Sequence, residues 1–128
     1  MTARTALLRA APYFPVPDVV AAGEYYRAVL GFTQEYLGGD PPVFAIYARN
    51  GWPVMFRRVD RPELICPNER QGGAWDVYFW VNDVMQFHAE LMRAGAEEVY
   101  APVVQPYGFR EFAVRDLNGY ILGFGQQG

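Results

Sequence analysis

Two stretches decide the fold when they are set side by side. They are Val43-Phe-Ala-Ile-Tyr-Ala-Arg-Asn-Gly-Trp-Pro-Val-Met-Phe56 and Glu111-Phe-Ala-Val-Arg-Asp-Leu-Asn-Gly-Tyr-Ile-Leu-Gly-Phe124. They align without a gap: 5 of 14 positions are identical, and Ile46/Val114, Trp52/Tyr120 and Val54/Leu122 are similar pairs. Upstream, Pro15-Val-Pro-Asp18-Val matches Trp80-Val-Asn-Asp83-Val. The offset is 65 residues between the aspartates and 68 between Asn50 and Asn118, so a small indel separates the copies. Order, spacing and residue type recur together, which is the signature of a duplicated module.

Each copy reads alike. A short strand (about 11–16, then about 76–81) ends before an aspartate that can cap a helix. The second helix carries Val84, Phe87 and Leu91 at i, i+3 and i+7, with Gln86 in the reciprocal capping position after Asp83. The first repeats the stripe with Val19, Ala22, Tyr26, Val29 and Leu30. Gly31 and Gly95 fall where a left-handed C-cap belongs. A strand at 32–37 or 99–104 follows, then two strands around Asn50-Gly51 or Asn118-Gly119, a strong hairpin signal. The chain is therefore read as α+β, one domain over 1–128. It comprises a strand-helix-three-strand module at 8–59, another at 74–126, and a connector at 60–73 containing Pro62, Pro67, Gly72 and Gly73.

Composition narrows the function. The 128 residues are 52% hydrophobic with a net charge of −3, so there is no basic footprint for nucleic acid or anionic membrane. No apolar run reaches the roughly 20 residues of a membrane span, and Met1 to Ala11 lack the apolar core of a leader. A lone Cys66 favours the reducing cytoplasm. A lone His88 excludes sites needing two histidines from one chain. Aromatic residues reach 16%, with 9 Phe, 9 Tyr and 3 Trp, more tyrosine than a core requires.

Strand alternation sorts these residues into faces. Phe14, Val16, Phe79 and Val81, with Val54, Phe56, Leu122 and Phe124, form the apolar set under the helices. The opposite face takes Ala11, Tyr13 and Pro15 with Asp76, Tyr78 and Trp80; Pro53, Met55 and Arg57 join it with Ile121, Gly123 and Gly125. Its mixed aromatic and polar character suits the wall of a cleft.

The paired modules, the run Pro17-Asp18-Val-Val…Tyr25-Tyr26…Leu30-Gly31-Phe32 and the ending Gln105-Pro-Tyr-Gly-Phe-Arg-Glu-Phe112 resemble the vicinal oxygen chelate superfamily. That group comprises glyoxalase I, fosfomycin-resistance enzymes, extradiol dioxygenases and bleomycin-resistance proteins. The ending is most similar to the bleomycin-resistance run Trp-Gly-Arg-Glu-Phe, with Tyr107 in place of Trp and Phe109 inserted. The resemblance implies sheets curved round a cleft and a homodimer whose clefts involve both chains. It also places the family's metal ligands at Ala11, Met55, Asp76 and Gly123, of which only Asp76 is a ligand type.

The expected function is metal-free and without a cofactor. A homodimer of the antibiotic-resistance type would sequester a planar aromatic small molecule, with bleomycin-like ligands in view. The ligand-binding set is Tyr13, Met55, Arg57, Asp76, Tyr78, Trp80, Tyr107, Arg110 and Glu111. Stacking falls to Tyr78, Tyr107 and Trp80, and Asp76 with the acidic balance favours a cationic ligand. Arg57 in the cleft would instead favour an anion. Arg110-Glu111 reads as an ion pair that fixes the cleft wall or a dimer contact. His88 lies at the edge of a helical stripe, away from the cleft, and is read as structural; Cys66 lies in the Pro-rich connector with no histidine near it in sequence and is read as an inert or incidental thiol. Two alternatives stay open at this point. One is a metal-dependent lyase, isomerase or dioxygenase with an atypical ligand set; the other is a metal-free enzyme using Asp76 as base.

Overall fold

Asp18 and Asp83 start the two helices. In the computed structural model, which describes residues 4–128, helix α1 spans Val19–Ala28 and helix α2 spans Val84–Arg93. Met1 to Ala3, the beginning of the segment read as lacking a leader core, lie outside the described residues. The Asp18 carboxylate accepts from the N–H groups of Val20 (2.9 Å) and Ala21 (3.1 Å). Asp83 accepts from the Gln86 N–H at 3.0 Å, and among the described residues the Gln86 side chain makes no return bond. The second cap is therefore half of the expected reciprocal pair. Gly31 (φ 76°) and Gly95 (φ 92°) take the left-handed conformation required just past each helix.

The strands are β1 (Tyr13–Val16), β2 (Thr33–Gly39), β3 (Pro42–Arg49) and β4 (Trp52–Arg58), then β5 (Val77–Trp80), β6 (Glu97–Val104), β7 (Phe109–Arg115) and β8 (Ile121–Gln127). They form two four-stranded sheets, in the orders β1-β4-β3-β2 and β5-β8-β7-β6. In each, the first strand lies parallel to the last: Tyr13 pairs with Met55, and Tyr78 with Gly123. The connector carries two short 3₁₀ turns, Pro62–Leu64 and Asn68–Gln71. No helix among the described residues is long and apolar enough to cross a membrane.

Both expected hairpins form, but they are wound differently. Asn50 (φ 53°) and Gly51 (φ 80°) are both left-handed, the two-residue turn that matches strand twist. In the second copy Asp116 replaces Ala48 and its carboxylate accepts from the N–H groups of Asn118 (2.8 Å) and Tyr120 (3.0 Å). That bonding opens the loop to residues 116–120, and there only Gly119 is left-handed. Gly51→Ala meets no neighbour within 4 Å and acts through backbone strain alone. It is expected to lower unfolding free energy by about 1 kcal/mol, measurable by urea denaturation.

One core joins the modules. Phe14, Val16, Tyr26, Val54 and Phe56 of the first sheet and its helix pack in the same cluster as Leu91, Phe112, Val114, Leu122 and Phe124 of the second. The helix-bearing faces thus turn toward each other. Phe14 stacks on Tyr120 at 4.2 Å, and Phe32 meets Phe79 at 6.4 Å. Polar bonds fix the join. The buried Tyr26 hydroxyl donates to Asp116 (2.7 Å), and the Tyr120 hydroxyl donates to the Pro15 carbonyl (2.6 Å). Burial pushes the Asp116 carboxyl up, while the bonds from Tyr26, Asn118 and Tyr120 pull it down.

Arg49 clamps the edge of the join. Its guanidinium donates twice to Glu90 (2.6 and 3.1 Å) and once to the Leu30 carbonyl (2.8 Å), and lies 4.5 Å over the Phe87 ring. The bonds from Arg49 hold Glu90 below the usual carboxylate range. A folded-state value depressed in this way gives stability that is fully present above the unfolded value of about 4.3 and is lost as pH falls through the folded one. The difference in melting temperature between wild type and Arg49→Met should therefore be constant above about pH 5 and shrink toward pH 3.

Candidate functional site

The outer faces of the two sheets, opposite the helices, carry the expected binding residues. On the first sheet Tyr13, Phe44, Met55 and Arg57 share this face, with Tyr13 and Arg57 exposed. Tyr13 and Phe44 rings lie 6.3 Å apart, and Phe44 and Tyr36 rings 6.1 Å. Arg57 makes no ion pair among the described residues.

The outer face of the second sheet is built around Glu111. This carboxylate is fully buried, yet among the described residues no arginine or histidine pairs with it. Its hydrogen-bond partners are phenols instead. Tyr78 (3.1 Å) and Tyr107 (2.5 Å) donate to Oε1, and Tyr100 (2.6 Å) donates to Oε2, with the Gln105 amide at 3.4 Å. Burying a carboxyl group is costly unless its oxygens find donors, and these side chains supply them. Burial, the bonds to Glu111 and its charge push the Tyr78 and Tyr100 phenols well above the ordinary range and Tyr107 up to about 12. All three keep their protons at neutral pH.

Two glycines make room for the rings. A Cβ at Gly125 would stand 1.6 Å from the Tyr78 hydroxyl, and one at Gly123 would stand 2.5 Å from the Trp75 indole. Trp75 donates its indole N–H to the Tyr100 oxygen (2.8 Å) and packs edge-on to Tyr78 at 4.7 Å. Trp80 follows at 5.3 Å from Tyr78. The result is an aromatic layer laid over a glycine floor, its outer members Trp80 and Tyr107 largely exposed.

Three expectations need correction. Asp76 is not a free cleft carboxylate: Oδ1 accepts from the Asn68 N–H and Oδ2 from the Ile121 N–H, both at 2.8 Å. It ties the connector to β8, each oxygen held by a backbone N–H. Arg110 does not share a face with Glu111, because alternation along β7 sends it to the helix side, opposite Gln126, and it forms no ion pair with Glu111. The single cleft is also divided. Tyr13, Met55 and Arg57 lie on one sheet and Tyr78, Trp80, Tyr107 and Glu111 on the other, and the two faces point away from each other across the shared core.

Trp75 and Tyr100 escaped the sequence reading because regular alternation fails at both. Regular pairing in β5 starts only at Val77, so Asp76 turns to its backbone partners and Trp75 crosses over Gly123. Tyr100 reaches the outer face through the register shifts in β6. The alternating glycines at 123 and 125 were the available signal: a strand face without side chains must be covered by something.

The family's metal positions do not suit a metal in this chain. Ala11 and Met55 offer no hard ligand, both Asp76 oxygens are engaged, and Gly123 lies under an indole. His88 contacts Glu98 at 2.5 Å and sets its ring edge-on to Phe112 at 5.1 Å, a packing role on the helix side. Cys66 is exposed in the connector. A crevice of about 490 Å³ opens between the β3–β4 turn and α2, bordered by Trp52, Trp80, Phe87 and the Arg49–Glu90 pair. Its arginine is already bonded within the protein, which makes it a joint between modules.

This paired βαβββ architecture is that of the glyoxalase/bleomycin-resistance/dioxygenase superfamily. The chain belongs to the glyoxalase-like domain family, whose sequence profile matches residues 13–119. Among solved structures it is similar to TioX from Micromonospora sp. ML1, with 24% identity over 94% of this chain and 98% of that one and a TM-score of 0.74. It is also similar to the bleomycin-binding protein of bleomycin-producing Streptomyces verticillus, complexed with copper(II)-bleomycin: 25% identity, 94% and 97% coverage, TM-score 0.70. A bleomycin resistance determinant encoded on the transposon Tn5 shares the fold at 20% identity, 94% and 98% coverage and a TM-score of 0.68. No curated protein sequence matches the chain.

Proposed function

We propose that this chain is a small-molecule-binding protein of the bleomycin-resistance type that sequesters a planar aromatic ligand without metal chemistry. The observation that carries this reading is the aromatic layer on the Gly123–Gly125 floor, with a buried, uncompensated Glu111 beneath it. Trp80, Tyr78 and Tyr107 supply stacking surface, and Glu111 takes the electrostatic role first given to Asp76 by favouring a ligand with positive charge. The similarity to a protein complexed with copper(II)-bleomycin makes bleomycin the first ligand to try.

The working unit in this reading is a homodimer. The outer face of one copy's first sheet, with Tyr13, Met55 and Arg57, covers the second sheet of the other. Its support is the exposure of Tyr13 (57%), Trp80 (74%) and Tyr107 (57%) on faces that one chain leaves open. Sedimentation velocity should give the dimer mass, and Tyr13→Glu should shift it to monomer without loss of helical or sheet signal.

Calorimetric titration with bleomycin tests the ligand, and no heat at high micromolar concentration removes that compound. Elemental analysis of protein purified without chelator tests the absence of metal chemistry. One tightly bound Fe, Mn, Ni or Zn per chain would overturn it and restore the metal-dependent lyase, isomerase or dioxygenase reading.

A further inference from the structure

The hydrogen bonds around Glu111 fix the direction of every phenol on the proposed binding face. Tyr78, Tyr100 and Tyr107 each donate their only O–H to Glu111, so all three phenol protons point inward. The Tyr100 oxygen also receives the Trp75 indole N–H and is thereby occupied. Tyr78 and Tyr107 retain lone pairs that no protein donor fills among the described residues, and Tyr107 is the exposed one of the two. Toward a ligand these oxygens can accept a hydrogen bond but cannot donate one. The indole of Trp75 is likewise unable to donate outward, since its single N–H is committed.

We infer that the Tyr78–Tyr107 phenol cluster of this face serves a ligand only as hydrogen-bond acceptor: it favours planar ligands that present N–H donors to it, such as amidines, primary amides and protonated amines, over matched rings that bring carboxylate or ester acceptors there. The inference rests on the ligand-binding reading above and specifies which ligand class that site admits. A carboxylate or ester oxygen brought to Tyr107 meets only lone pairs, with Glu111 directly behind them. A site that cannot satisfy a desolvated acceptor rejects it strongly, whereas a donor finds its partner already oriented.

Four probes on one ring separate donor pattern from charge: 2-naphthamidine, 2-naphthoate, 2-naphthamide and methyl 2-naphthoate. They are titrated against the intact protein by tryptophan fluorescence. The amidinium should bind at least tenfold more tightly than the carboxylate, and the neutral amide at least threefold more tightly than the neutral ester. The neutral pair matters because an acidic protein attracts any cation. In Glu111→Gln the amide side chain donates to a phenol oxygen, turns that phenol's proton outward, and should bring the amide-to-ester ratio close to one. Tyr107→Phe, which keeps the half-exposed ring and removes only the hydroxyl, should lower both the amidinium-to-carboxylate and the amide-to-ester ratios at least threefold.

Equal affinity for all four probes, a preference for the acceptors, or an unchanged preference in Tyr107→Phe overturns the inference and leaves the aromatic binding face standing. Failure of every probe to bind at millimolar concentration overturns the inference together with the reading beneath it.

Discussion

Gly125→Ala should leave the fold intact and weaken ligand binding at least tenfold. The new methyl carbon would stand 1.6 Å from the Tyr78 hydroxyl, an impossible approach, and the atom it meets is the far end of a side chain that can swing aside. Tyr78 therefore leaves its place. With it go the 3.1 Å bond to Glu111 and the edge-on contacts to Trp75 and Trp80. The loss of one stacking partner and the disturbance of its neighbours amount to more than the 1.4 kcal/mol that equals a tenfold change in affinity. The melting temperature should move by only a few degrees, because the core-facing side of β8 is untouched. Unchanged affinity in this variant would mean that the ligand does not lie on the second sheet's outer face.

Glu111→Ala is the prediction with the largest effect on stability. It removes the acceptor shared by three phenols and the Gln105 amide and leaves a cavity at a position with no solvent exposure. Buried groups left without a partner cost about 1–3 kcal/mol each, although the exposed Tyr107 can recover a bond to water. Relief from burying a carboxylate offsets part of this. The net loss is expected at about 3 kcal/mol, or roughly 10 °C in melting temperature for a domain of this size. Glu111→Gln, which keeps the volume and one acceptor oxygen, should lose less than half as much. If both variants melt with wild type, Glu111 does not organise the face.

Regular features of the fold were legible in the sequence. The duplication, the two aspartate caps, the left-handed glycines and the separation of core from outer face all follow from short-range rules that tertiary packing did not override. Phe14, Val16, Phe56, Leu122 and Phe124 sit under the helices because strand alternation holds there. The site was legible only in part, and the reason is local irregularity. Asp76 and Trp75 depart from alternation just before β5, ahead of its regular pairing with β8, and the register shifts of β6 carry Tyr100 to the outer face. Arg110 was joined to Glu111 by adjacency in sequence, although adjacent residues on a strand point to opposite sides. The separation of the two outer faces depends on how the modules dock. That is decided by contacts such as Phe14 with Tyr120 and Tyr26 with Asp116, residues distant in sequence that no periodicity connects.

The central claim is that the aromatic layer over Gly123 and Gly125 is a ligand-binding face that works without a metal. Its most direct test is calorimetric titration of chelator-treated protein with metal-free bleomycin, run in parallel on wild type and Gly125→Ala. The account predicts saturable binding in wild type with no divalent cation present, weakened at least tenfold in the variant. Binding that appears only after a divalent cation is restored, or that is equally tight in both proteins, would contradict it.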